Sequence, residues 1–173
     1  MKRPLTAAQI GCGKFARSQD FPNMAKHPDI TLKWACDVNR DNAENAAEQF
    51  HVPETTTDFM EVVNDPEVDF IKIATTHEAH LPIIEAAAKA GKHIFCEKPM
   101  AMNTAEAEEM LETAKKLNRQ LGIDFSYRFT PQSRAMKALV EEGRLGEIYY
   151  ARSVWLRRRG VPGGTSSGFN TEG

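Results

Sequence analysis

Three clusters of residues have the types and spacing to do chemistry. The run Gly11-Cys12-Gly13-Lys14-Phe15-Ala16 follows the apolar stretch Ala7-Ala8-Gln9-Ile10 and opens a helical pattern. In such a run the first glycine permits a tight strand-to-helix turn, and the second lets backbone approach a pyrophosphate. A small third residue, Ala16, lets the helix pack on the strand. The exposed amides of Gly13, Lys14, Phe15 and Ala16 then meet the anion at a helix N-terminus. Asp37 closes the next apolar stretch, 21 residues after Ala16, the place of a ribose-binding carboxylate. The alternative for Asp37 is a surface carboxylate at a strand end. Glu97-Lys98-Pro99 follows a later strand directly. Lys98 there is suited to hold a hydroxyl or carbonyl oxygen by charge-assisted hydrogen bonding and to take part in proton transfer. Glu97 is placed to orient Lys98 or to bond a ribose. The competing reading is an exposed ion pair ahead of a helix.

These residues need a frame that gathers them. Strand-like and helix-like patterns alternate for about 125 residues, which argues for a parallel sheet covered by helices. Strands are expected at 6–11, 31–36, 70–74, 93–96 and 120–125. Helices are expected over 14–26, disturbed by Pro22, and from capping boxes at Asp41, Asp58 and Asn103. The helix after Asn103 should bury Met110, Leu111, Ala114 and Leu117. In an open parallel sheet ligands bind beyond the carboxyl ends of the strands, so Gly11, Asp37, Thr75 and Lys98 should share one edge. After residue 126 the pattern shifts. A helix capped by Thr130-Pro131 carries Met136, Leu139 and Val140, and residues 147–155 alternate like the first strand of another sheet. Five of the last 14 residues are glycine, so residues 160–173 are expected to form a flexible tail.

The bulk numbers exclude several classes. Among 173 residues the net charge is −2, which offers nothing to nucleic acid or an anionic membrane as main partner. No apolar run reaches membrane-span length and no secretory signal follows Met1-Lys2-Arg3-Pro4, so a cytoplasmic location is expected. Cys12, Cys36 and Cys96 show no C-x-x-C spacing, so no metal is expected.

Cys96-Glu97-Lys98-Pro99-Met100-Ala101, set after Gly11-x-Gly13 and Asp37, resembles the Gfo/Idh/MocA oxidoreductases. Ala90-Gly91-Lys92-His93, Tyr127-Arg128-Phe129 and Gly143-x-Leu145-Gly146-Glu147-Ile148 add to the resemblance, as does Arg157-Arg158-Arg159-Gly160-Val161-Pro162. It implies a doubly wound Rossmann domain over residues 1–126 and the start of an α+β substrate domain over 127–159. It implies NAD as cofactor, with NADP possible because Arg40 lies near Asp37, and hydride transfer at a sugar, polyol or related secondary alcohol. Lys98 would be catalytic and would contact both substrate and nicotinamide. Thr75 and His80 would lie beside the dinucleotide, and Arg128 beside the substrate. Thr76 and His77 depart from the Pro-Asn often found there, and His77 and His80 also read as loop or cap residues. The family's second motif, an aspartate followed by a histidine, has no counterpart, since no histidine follows His93. The chain therefore reads as truncated before that motif, with self-association through the substrate-domain sheet as a further expectation. The alternative is a non-catalytic dinucleotide-binding module.

Overall fold

A computed structural model describes residues 3–154 and residue 156. The expectation for residues 160–173 lies outside the described residues. Six strands form one parallel sheet: β1 (Leu5–Ile10), β2 (Ile30–Cys36), β3 (Glu54–Thr56), β4 (Phe70–Ile73), β5 (His93–Glu97) and β6 (Leu121–Asp124). Their spatial order is β3-β2-β1-β4-β5-β6, and every neighbouring pair is parallel. The order reverses direction between β1 and β4, the switch point at which a ligand crevice opens.

The helices are α1 (Lys14–Ser18), α2 (Asp20–Lys26), α3 (Arg40–Phe50), α4 (Phe59–Asn64), α5 (His80–Lys89), α6 (Thr104–Lys116) and α7 (Pro131–Glu141). Alternate strand residues face opposite sides of the sheet. Ile71, Ile73, Ile94 and Cys96 bury against Val62 and Val63 of α4, Ile83, Ile84 and Ala87 of α5 and Met110 of α6. Each large aliphatic side chain removed from water there contributes about 2 kcal/mol. On the other face Cys12, Ala16, Phe21, Ala35, Ala46 and Val52 form a second core, and Phe21 stacks on Phe50 at 5.0 Å.

The first helical segment is broken at Gln19 (φ −127°, ψ −59°), upstream of the expected disturbance at Pro22. Pro22 sits instead in the first turn of α2, where its missing N–H costs little. Asn39, not Asp41, caps α3: its side chain accepts from the Asp41 amide at 2.9 Å. At α6 Asn103 is the expected cap, accepting from the Glu106 amide at 3.0 Å, while the Glu106 carboxylate reaches Met102 N and Asn103 Nδ2 rather than the Asn103 amide that would close the box. That helix buries Met110 and Ala114, whereas Leu111 and Leu117 are exposed, because the covered stripe is one residue wide per turn. β3, three residues long, is too short for periodicity to mark.

The chain divides into two compact units between Asp124 and Phe125. In the second, Thr130 caps α7 through the Ser133 amide, and no residue of α7 is buried; Met136 and Val140 are exposed. Residues 147–154 form no strand, contrary to their alternating pattern. A strand needs a neighbour for its backbone groups, and among the described residues none pairs with this segment.

Candidate functional site

The carboxyl edge of the sheet brings the glycine turn, β2 and β4 into contact. Gly11 leaves β1 at φ +91°, and its amide donates to Cys36 O at 2.8 Å. A Cβ here would lie 2.4 Å from Ala74 O and 2.9 Å from Thr75 N, so both conformation and space demand glycine. Gly13 precedes α1, and a Cβ there would meet nothing within 4 Å. That open space is the cradle a pyrophosphate needs. Among the described residues the amides of Gly13, Lys14, Phe15 and Ala16 have no acceptor. With α1 only five residues long, these free donors, more than any helix dipole, are what the turn offers an anion. Ala16 is 1% exposed and packs in the second core, as a close helix-to-sheet contact requires. Lys14 and Phe15 face solvent.

Asp37 is more than a strand-end carboxylate. Its Oδ2 accepts from Cys12 N at 2.8 Å, and its Oδ1 from Asn39 N at 2.9 Å and Asn42 Nδ2 at 3.4 Å. It thus latches the end of β2 to the glycine turn. A carboxylate has about four lone-pair sites, so acceptor capacity is left for a ribose hydroxyl.

Thr75 lies just beyond β4, half-buried, with its hydroxyl donating to Thr76 O at 3.2 Å. Glu97 ends β5 and is buried. Lys98 follows it on the exposed edge, before a cis peptide bond to Pro99, and has no side-chain partner among the described residues. His80 opens α5 fully buried. Its Nδ1 lies 3.3 Å from Met100 O, which ties the loop after β4 to the loop carrying Lys98. Burial pushes its pKa down. A neutral imidazole that donates from Nδ1 to a carbonyl leaves Nε2 an acceptor, and among the described residues Nε2 is buried without a hydrogen-bond partner.

Sequence reasoning did not single out the charged cluster behind this edge. Lys72 Nζ lies 2.8 Å from Glu97 Oε1, 3.1 Å from Asp124 Oδ2 and 3.5 Å from Asp20 Oδ1. The signal was available, since Lys72 interrupts the apolar run Phe70-Ile71-Lys72-Ile73. The three carboxylates lie within 4.8 Å of one another, and the cation among them is the Lys72 ammonium. Arg128 lies in the second unit, exposed on the turn Ser126–Phe129.

A parallel sheet in this order, with a glycine turn after its first strand and a carboxylate after its second, defines a dinucleotide-binding α/β protein. The match is specific: residues 5–125 fit the Gfo/Idh/MocA model, described as an oxidoreductase family with an NAD-binding Rossmann fold, and the chain belongs to that family. It is 33% identical to D-glucoside 3-dehydrogenase of Escherichia coli over 92% of this chain and 46% of that protein. It is 32% identical to myo-inositol 2-dehydrogenase of Thermotoga maritima, over 83% of this chain and 42% of the relative. Among solved structures, scyllo-inositol dehydrogenase from Lactobacillus casei with bound NAD(H) and scyllo-inositol superposes with a TM-score of 0.78 at 27% identity. That match covers 84% of this chain and 43% of the other. The chain thus spans less than half the length of these relatives. No helix among the described residues is long and apolar enough to cross a membrane.

Proposed function

We propose that this chain is the cofactor-binding part of an NAD-dependent dehydrogenase that oxidises a secondary alcohol of a sugar or polyol reversibly. The observation that carries the reading is the open cradle at Gly13, latched by Asp37 on one side and continued along the same edge by Thr75 and Lys98. NAD, when bound, supplies the hydride acceptor. The free amides of Gly13, Lys14, Phe15 and Ala16 bind its pyrophosphate, and Asp37 accepts from a ribose hydroxyl. Thr75 flanks the dinucleotide beyond β4. His80 acts from within the wall, through its hold on Met100. Glu97 directs Lys98, and Lys98 donates a hydrogen bond to the oxygen of the reacting hydroxyl, holding it in place. Arg128 belongs to the substrate side. The start of a substrate domain is assigned to residues 127–159. The free, buried Cys12, Cys36 and Cys96 suit a reducing, cytoplasmic setting.

NADH and NADPH titrations followed by fluorescence test this. Both cofactors share the Asp37 latch to Cys12, so only a difference between them reports on the ribose. Asp37→Ala should weaken NADH about tenfold, the worth of one good hydrogen bond to a charged acceptor, and NADPH by less. Equal losses would remove Asp37 from ribose recognition, and no binding of either cofactor by the unsubstituted chain would overturn the cofactor assignment.

A further inference from the structure

Lys72 is 3% exposed although it lies in mid-strand. Ile71 and Ile73 point into the α4–α6 core, so Lys72 points to the opposite face. Its ammonium reaches the diagonal neighbour Glu97 on β5, Asp124 on β6 and Asp20 on α2, and sits 4.4 Å from the centre of the Phe95 ring. One buried cation therefore ties together α2 and three adjacent strands. It does so beneath the peptide at which β5 ends and Lys98 begins.

We propose that Lys72 is a positioning residue: by clamping the Glu97 carboxylate at the last residue of β5 it fixes the direction in which Lys98 leaves the strand. The proposal rests on the assignment of Lys98 to the cofactor and substrate. The charged groups that face Glu97 are Lys72, Asp20 and Asp124. Burial pushes the Glu97 pKa up, Lys72 pulls it back and Asp124 raises it further. Asp20 is pushed up by burial in the same way, against the pull of Lys72. Burial alone would lower the pKa of Lys72, but the surrounding carboxylates outweigh it and the pKa is raised. The ammonium thus stays charged, and the clamp is closed when Glu97 is ionised. When the cation is absent, Glu97 either takes a proton or turns away from Asp20 and Asp124, and the peptide that leads to Lys98 moves with it.

The test is the pH profile of NADH binding, with thermal melting as the check on folding. Lys72→Met/Asp124→Asn removes one cation and one carboxylate together, which limits the charge imbalance left in the interior. At neutral pH its NADH affinity should fall about tenfold, a loss of the kind seen when a supporting shell loosens, and its acid limb should move to higher pH. Asp124→Asn alone keeps Lys72 and removes a competing negative charge, so its acid limb should move to lower pH. Lys72→Arg, which keeps the cation, should recover most of the affinity. A folded double variant with unchanged affinity and profile would overturn the clamp. So would an unmoved acid limb in Asp124→Asn if the double variant does not fold. Failure of the cofactor reading shows differently, as no NADH binding by the unsubstituted chain.

Discussion

The two edges of the sheet each carry a buried lysine and a left-handed glycine, and they use them in opposite ways. At the amino edge Lys92 is 6% exposed, and its ammonium is taken up by the main-chain carbonyls of Asp65 and Val68, the latter at 2.9 Å. Around it Trp34 donates to Asp65 at 2.6 Å, Lys33 pairs with Asp65 at 2.7 Å, and Arg3 pairs with Asp69, which also accepts from Thr6 N at 2.7 Å. At the carboxyl edge Lys72 meets carboxylates from three elements, and Lys98 has no side-chain partner among the described residues. Among the described residues the buried side-chain atoms without a hydrogen-bond partner, Gln9 Oε1, Asp20 Oδ2 and His80 Nε2, lie toward this edge. One edge is closed by bonds that folding makes anyway. The other keeps charge and open donors in reserve, which is what an edge that receives a ligand requires.

The glycines sharpen this contrast most. Gly91 (φ +82°) has nothing within 4 Å of a Cβ position, whereas Gly11 (φ +91°) has Ala74 O at 2.4 Å. Gly91→Ala should cost about 1 kcal/mol, the strain of a left-handed residue with a side chain. Gly11→Ala adds a backbone collision and should cost at least about 3 kcal/mol, with β1 and β4 forced apart. Chemical denaturation of the two variants measures the gap, and equal losses would show that the turn after β1 yields freely. The lysines come next. Lys92→Met strands two buried carbonyls and should cost about 2 kcal/mol while leaving NADH affinity unchanged. A loss of NADH affinity in a folded Lys92→Met chain would erase the distinction between the edges.

What was legible in the sequence followed from how local its cause is. Gly11 and Gly13 were readable because a turn that needs positive φ and close backbone approach admits little else. The strand–helix alternation was readable because β4 and β5 bury one face in apolar residues. The cap at Asn103 was readable because its partner, Glu106, lies within one turn. The break at Gln19 was not, since it accompanies an inward turn of Asp20 toward Lys72, 52 residues away. The exposure of Leu111 and Leu117 depends on how wide a stripe the sheet covers, which α6 alone does not state. Residues 147–154 alternate correctly, yet alternation describes one strand and pairing takes two. Lys72 carried a signal of its own, a charge in a buried strand, but its three partners are assembled only by the strand order β4-β5-β6.

A further contrast concerns Asp65, the hub of the closed edge. Burial raises its pKa, but hydrogen bonds from Lys33, Trp34 and the Glu67 amide outweigh that and hold it at about 2. A carboxylate whose folded pKa lies below its unfolded value stabilises the protein above the unfolded pKa and loses that contribution as pH falls toward the folded one. Lys33 is partly exposed, so solvent screening reduces the gain. Asp65→Asn should therefore cost about 1.5 kcal/mol near neutral pH, and the difference from the unsubstituted chain should shrink as pH falls from about 5 toward about 2. Thermal melts across that range decide it. A gap that stays constant would mean that Asp65 acts through shape and neutral hydrogen bonds. The amino edge would then hold its lysines without drawing on charge at all, and the carboxyl edge alone would depend on ionisation.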